Sequence, residues 1–403
     1  MDLSFLPDWP PTVPAALAVA ILALVAAALG EGAARLRLPR LFGYVGAGAL
    51  FGAGGYVLRL LQLEELPSPT LKFTLEFAAA VILFDLGQRV SFGWVRRNPA
   101  LLGASVVESG LSFALVFMAM RYFDIEAWTA AVIASIAMAT SPAVVLAVTR
   151  ETRAQGQITE RTLLLTALNS IYAVMLSTLL LGLVRDQQGA RSVEIVLQPA
   201  YLIVGSLAVA ALGARLFLWV LSFIGRDRAG QILVMLSVVW VVFATAVALR
   251  LSPLLALLAC GAFVRTFDTS RRLTATEFGL ASGIALVLLF ALSAAMVDIE
   301  LLFVSWPPVL ALLAVRVVAK AFGVAALGPL SGITLKKGML SGLALMPMSA
   351  LALMLIHQVS EWNPQIAQQT TAVLLPSVLI MQLAGALALA QILRRGGEAR
   401  IER

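Results

Sequence analysis

At 403 residues, 61% hydrophobic and 13% charged, with a mean hydropathy of +0.95, the chain lies far from soluble proteins, which run at about 45–50% apolar and about 25% charged. Composition excludes a soluble globular domain, and a single cysteine, Cys260, excludes a disulfide framework or a cysteine-based metal centre. The net charge of +7 and pI of about 10.1 leave a nucleic-acid surface open only until the basic residues are placed.

A hydrocarbon core near 30 Å takes roughly 20 helical residues per crossing, so this length accommodates about a dozen spans. The first 12 residues hold Asp2 and Asp8 and no Lys or Arg, so the opening apolar stretch lacks the basic start of a signal peptide and is expected to be retained. Thirteen apolar stretches follow in order, at about 13–30, 41–60, 71–87, 100–120, 127–149, 162–184, 197–223, 229–249, 252–264, 278–297, 307–329, 338–357 and 370–393. Polar or proline-bearing breaks such as Leu38-Pro39-Arg40, Arg97-Asn98-Pro99 and Asn363-Pro364 separate them.

Alternate connections divide the 29 basic residues unevenly. One set, running from Arg35, Arg37 and Arg40 to Arg394, Arg395, Arg400 and Arg403, holds 21; the other holds six; Arg316 and Lys320 lie inside a span. Cytoplasmic loops carry the Lys/Arg excess. The reading is therefore an inner (plasma) membrane protein with its N-terminus outside and its C-terminus cytoplasmic, and the basic pI reflects topology rather than nucleic acid.

Ionisable residues within spans are rare and costly. Some have local explanations. Glu76 follows Lys72 by four residues, Asp85 precedes Arg89 by four and Glu31 precedes Arg35 by four, spacings that close helical ion pairs near span ends, while Thr274 and Glu277 form a capping box. Three have none. Glu108 sits near the middle of the fourth span among Ala104, Ser105, Leu111 and Ser112. Arg316 and Lys320 share one face of the eleventh span with no acid within a turn. The economical arrangement packs the fourth span against the eleventh so that Glu108 meets Lys320 or Arg316, either as a transport site or as a static pair holding the bundle.

Two spans are interrupted at the same depth. The fifth contains Met138-Ala139-Thr140-Ser141-Pro142 and the twelfth Met346-Pro347-Met348-Ser349. Mid-span proline frees a backbone carbonyl, which is tolerable only where hydroxyls, other helices or water serve it. The two prolines are seven spans apart, so the helices run in opposite directions, the pattern of a transporter site at the midplane of two inverted halves.

The run Leu38-Pro39-Arg40-Leu41-Phe42-Gly43-Tyr44-Val45-Gly46-Ala47-Gly48 resembles the second-helix signature of the monovalent cation:proton antiporter superfamily. Leu83-Phe84-Asp85-Leu86-Gly87 is similar to that family's third helix and Ala139-Thr140-Ser141-Pro142 to its broken helix. Arg316 and Lys320, followed by Gly342 to Ser349, resemble its charged helix and second broken helix, and the likeness covers the whole chain in order. It implies an all-α polytopic membrane fold of about 13 helices in two inverted repeats. It further implies dimerisation helices at 1–99 and 229–297, core transport helices at 100–184 and 307–393, a linker helix at 197–223, a homodimer and elevator-like alternating access. Gly48 and Gly52 in the second span fit that dimer interface. No soluble regulatory domain is expected after the last span.

The family carries its essential acid in the sixth span, usually as Asp-Asp or Asn-Asp, whereas the matching stretch here is Ala167-Leu168-Asn169-Ser170-Ile171-Tyr172. Ser170 can coordinate a cation but cannot exchange a proton near neutral pH. Three readings stay open. In the first, Na+ or K+ is exchanged for a proton at a non-standard site, with Glu108 titrating beside Lys320 or Arg316 and Thr140, Ser141, Asn169 and Ser170 supplying oxygens. In the second, the net positive inventory of one acid and two bases selects an anion at the broken-helix N-termini. In the third, the chain is a transport-inactive sensor or scaffold. His357, the only histidine, lies at the external end of the twelfth span and could tune activity with pH. No phosphate-binding loop, metal-ligand cluster or hydrolytic triad pattern occurs, so neither an enzyme nor a cofactor is expected.

Overall fold

The computed structural model describes residues 15–36, 38–60, 69–89, 98–186, 192–224, 227–268, 278–295, 305–348 and 350–399. Among them the regular structure is helical throughout. In chain order the helices are α1 (Ala15–Arg35), α2 (Leu41–Leu60), α3 (Pro69–Arg89), α4 (Pro99–Tyr122), α5 (Ala127–Ala137), α6 (Pro142–Glu151), α7 (Gln157–Asp186) and α8 (Ser192–Ile224). There follow α9 (Arg228–Ala248), α10 (Pro253–Phe267), α11 (Phe278–Ala295), α12 (Trp306–Leu327), α13 (Leu335–Leu343), α14 (Ala350–Trp362) and α15 (Pro364–Arg395), with a 3-10 turn at Pro329–Ser331. The fifth apolar stretch falls on α5 and α6, the twelfth on α13 and α14, and each of the others on one helix.

Eight spans among the described residues are long and apolar enough to cross a membrane, α5 and α6 counting as one, and four shorter apolar helices accompany them. The chain is a multi-pass all-α membrane protein. Helix starts follow elementary capping chemistry. Ser141, Asp227, Ser252, Thr334 and Asn363 each accept a first-turn backbone N–H. Proline stands in the opening positions of α4, α6, α10 and α15, where its missing N–H goes unused.

Packing divides the chain into two compact units, residues 1–76 with 287–297, and 77–286 with 298–403. In the first, Leu22, Ala26, Ala47, Ala291 and Leu292 form the core. A Cβ added at Gly48 would fall 2.0 Å from the Ala291 carbonyl oxygen and one at Gly52 2.7 Å from that of Ala295. The close approach expected of these glycines is made to α11 of the same chain. Glu31 pairs with Arg40 at 3.1 Å rather than with Arg35, because the turn after α1 brings the start of α2 beside it. With both side chains about half exposed the pair adds little stability.

In the second unit α5 is the centre. Every residue from Thr129 to Ala137 is buried, as befits a helix apolar all round. Its neighbours in the core include Val174 on α7, Leu312 on α12, Leu355 on α14 and Leu374 and Val378 on α15. Asp85 on α3 bonds to Arg150 at the end of α6, a long-range partner. The side chains of Arg89 and Lys72, and Glu277 altogether, lie outside the described residues.

Three connections that the basic-residue pattern assigns to one side of the membrane lie against one another. Lys337 Nζ donates to Gln157 Oε1 at 3.0 Å, Arg161 Nη1 to Ser331 Oγ at 2.8 Å, and Gln155 N to Glu398 O at 3.0 Å.

Candidate ion site at the crossing of two broken helices

The two interruptions meet. Between α5 and α6 the chain leaves helical geometry around 138–141, and between α13 and α14 over 344–348. Ser141 N donates to Pro347 O at 2.8 Å and Thr140 Oγ1 to Leu345 O at 3.0 Å. Pro142 opens α6, and the Ser141 hydroxyl caps it by accepting from Val144 N at 3.1 Å. Ser349 lies outside the described residues, and His357 is on α14 with its side chain undescribed.

A helix that stops inside a bundle leaves carbonyls without intrahelical donors and a partial negative charge at its end. Arg316, 1% exposed, answers that need at both breaks. Its Nε donates to Ala137 O at 2.8 Å and its Nη2 to Ala139 O at 2.7 Å and Leu345 O at 3.4 Å, while Nη1 donates to Met346 O. The rigid guanidinium fork suits four acceptors from two segments. Of the two bases offered to Glu108, Arg316 is the one that serves backbone.

Lys320, one turn further along α12 and fully buried, donates to Met138 O at 3.0 Å and to Glu108 Oε1 at 2.6 Å. The expected contact of the fourth span with the eleventh is thus made through Lys320. Gly323 allows it: a Cβ there would fall 2.5 Å from Glu108 Cα, so α12 meets α4 backbone to backbone. Gly342 does the same on the other side, its added Cβ falling 2.2 Å from Lys320 O. Replacing Gly323 with alanine is expected to force α4 and α12 apart and destabilise the protein by about 1–3 kcal/mol, measured as a lowered melting temperature of the detergent-solubilised protein.

Besides Lys320, the polar contacts of Glu108 come from α4 itself. Ser112 Oγ donates to Glu108 Oε1 at 3.2 Å and Ser109 Oγ reaches Oε2 at 3.4 Å. The one Ser109 proton is shared between that oxygen and the nearer Asn169 Oδ1, at 2.9 Å, and Asn169 Nδ2 donates to Thr140 Oγ1 at 3.4 Å. Ser105 and Tyr172 share a hydrogen bond of 2.9 Å between the same two helices. The sequence reading does not single out Ser109 or Tyr172, although serines at 105, 109 and 112 recur at helical spacing on the face of Glu108. Of the residues it does single out, Glu108, Thr140, Ser141, Asn169, Arg316, Lys320 and Pro347 come together here. Ser170 is buried next to Asn169, and its hydroxyl donates at 2.8 Å to Thr166 O on its own helix.

Opposed broken helices crossing at buried charges within a multi-pass bundle are the architecture of a secondary transporter. The family model described as sodium/hydrogen exchanger, transmembrane, matches residues 19–395. The chain belongs to that family, whose members are transporters and not enzymes. Its fold is similar to two structures of the sodium proton antiporter MjNhaP1 from Methanocaldococcus jannaschii. One, at pH 8, has a TM-score of 0.65 over 94% of this chain and 95% of that chain. The other, from electron microscopy, has a TM-score of 0.74 over 95% and 98%, and sequence identity is 14% in both. No curated protein matches the chain.

Proposed function

We propose that the protein exchanges a monovalent cation, Na+ or K+, for a proton, with Glu108 as the exchanging acid in place of the sixth-span aspartate that Ser170 replaces. The observation that carries this reading is the Lys320–Glu108 contact of 2.6 Å, fully buried where the broken helices cross. Lys320 is a tethered cation on the carboxylate. A metal cation arriving at Glu108 displaces the ammonium; a proton arriving there neutralises the carboxylate and ejects the metal. Competition between the two for one group is exchange. Glu108 and the oxygens of Ser109, Ser112, Asn169 and Thr140 replace part of the cation's hydration shell.

The proposal extends to thirteen crossings in the plasma membrane with the N-terminus outside. Residues 100–184 and 307–393 form the moving core, 1–99 and 229–297 the dimerisation part of a homodimer, and 197–223 the linker. Alternating access is elevator-like, carrying the crossing as a unit. Against an anion site stands the use already made of both cations: Lys320 is engaged by Glu108 and Met138 O, and Arg316 by four carbonyls.

Proteoliposomes loaded with a pH-sensitive dye test it. Sodium or potassium pulses should move protons, and Glu108→Gln should lower that flux by about 100-fold or more while the protein still elutes as a folded species. Retained flux in Glu108→Gln overturns Glu108 as the exchanging acid. Anion flux lost on neutralising Lys320 would favour the anion reading, and no flux of any kind from the unmodified protein would favour a sensor or scaffold.

A further inference from the structure

The end of α15 and the start of α7 form one structure. After Arg395 the chain turns at Gly396 and Gly397, the latter at φ 72°, and Glu398 N donates to Leu393 O at 3.0 Å. That turn sets Glu398 on the first turn of α7. Its carboxylate accepts from Ile158 N, from Thr159 N and from Thr159 Oγ1, each at 2.8 Å. Its carbonyl accepts from Gln155 N at 3.0 Å, and the residue is 9% exposed.

The first N–H groups of a helix need acceptors, normally from the residue just before it, and a negative charge is favoured there. Before α7 that residue is Gly156, which has no side chain to offer. Its φ of 155° is in glycine's range, and a Cβ at this position would fall 2.3 Å from Glu398 Cδ. The local sequence therefore leaves the cap vacant for a carboxylate from the far end of the chain.

Helix α7 carries Asn169, ten residues beyond Thr159 and so about 15 Å along the axis. Asn169 bridges Ser109 at 2.9 Å and Thr140 at 3.4 Å. The second distance is beyond the usual range for a hydrogen bond, so a small displacement of α7 removes it. We infer that Glu398 is a positioning residue for the proposed ion site: it fixes the height of α7 and, through Asn169, the hydrogen-bonded surroundings of Glu108. The role builds on the exchange reading, and its test keeps the two apart.

Hydrogen exchange at the Ile158 and Thr159 amides of the purified full-length protein reads the cap. The sodium concentration that half-maximally stabilises the solubilised protein against heat reads the site without transport, and half-maximal proton flux in proteoliposomes reads it with transport. Glu398→Ala should speed exchange at both amides by about tenfold. It should raise both half-saturating sodium concentrations by about 3- to 10-fold, centred on the roughly fivefold equivalent of a typical lost helix cap, with maximal flux changed by less than about twofold. Gly156→Ala, which expels the carboxylate, should reproduce this, and the double variant should be no worse than either single change. Glu398→Gln, which keeps an accepting oxygen, should fall between. Unchanged exchange, or faster exchange with unchanged half-saturation, or additive effects in the double variant, overturns the inference. An unmodified protein that sodium stabilises but that moves no protons overturns the exchange reading, and the stabilisation data still decide the role of Glu398.

Discussion

Arg316→Leu is expected to yield little folded protein. The substitution keeps apolar bulk at a site 1% exposed and removes the donors to Ala137, Ala139, Leu345 and Met346 carbonyls. Leu345 O keeps the Thr140 hydroxyl, but each of the Ala137, Ala139 and Met346 carbonyls left without this donor costs about 1–3 kcal/mol, a sum that takes a large share of the whole stability of an ordinary domain, about 5–15 kcal/mol. The loss falls where the chain has already given up helical hydrogen bonds, so no neighbouring turn can take over. Arg316→Lys separates charge from shape. It restores a buried cation but offers a single point of donation where the guanidinium offers a planar fork across two segments, and it should recover only part of the stability. Melting temperatures of the two variants in detergent, beside the unmodified protein, check this. A leucine variant as stable as the parent would mean the two breaks hold together without Arg316. A lysine variant fully restored would mean that charge alone matters there.

What the sequence made legible follows from what a bilayer penalises. Apolar runs of crossing length, and their interruption by Pro142 and Pro347, can be read directly because lipid offers no partner to a backbone group. Glu108, Arg316 and Lys320 stand out for the same reason: a charge in a span is conspicuous against 13% charged residues overall. The partner of Arg316 was not legible. Matching acids to bases counts side chains, whereas the groups it binds are carbonyls that exist as free acceptors only once the helices break. The pairing of Asp85 with Arg150, 65 residues away, escapes a search confined to one helical turn. So does the capping of α7 by Glu398, because capping signals are sought next to the helix and Gly156 gives none. The hydrogen bond of Ser170 to Thr166 O was not legible either: the family pattern marks the position, while a short polar side chain in a helix commonly bonds back to its own preceding turn.

Neutralising Lys320 and Glu108 together should do less harm to stability than neutralising either alone. Lys320→Met leaves the Glu108 carboxylate with only the hydroxyls of Ser109 and Ser112. Glu108→Gln leaves the Lys320 ammonium with Met138 O and a neutral amide. Breaking a buried pair from one side costs about 3–5 kcal/mol, because the survivor is a charge without compensation, whereas replacing both members by neutral groups of similar size is often close to neutral. Melting temperatures of the two single variants and the double close the cycle. Coupling well beyond the about 0.5 kcal/mol scatter of independent sites is expected; additivity would mean that the contact of 2.6 Å carries no net energy. Transport separates the same four proteins differently. A structural pair would let the double variant regain flux as it regains stability. An exchanging acid would not, since a glutamine at 108 has no proton to trade, and the double variant should be folded and inactive. Stability rescued without flux therefore assigns the pair to exchange, and the two regained together assign it to packing.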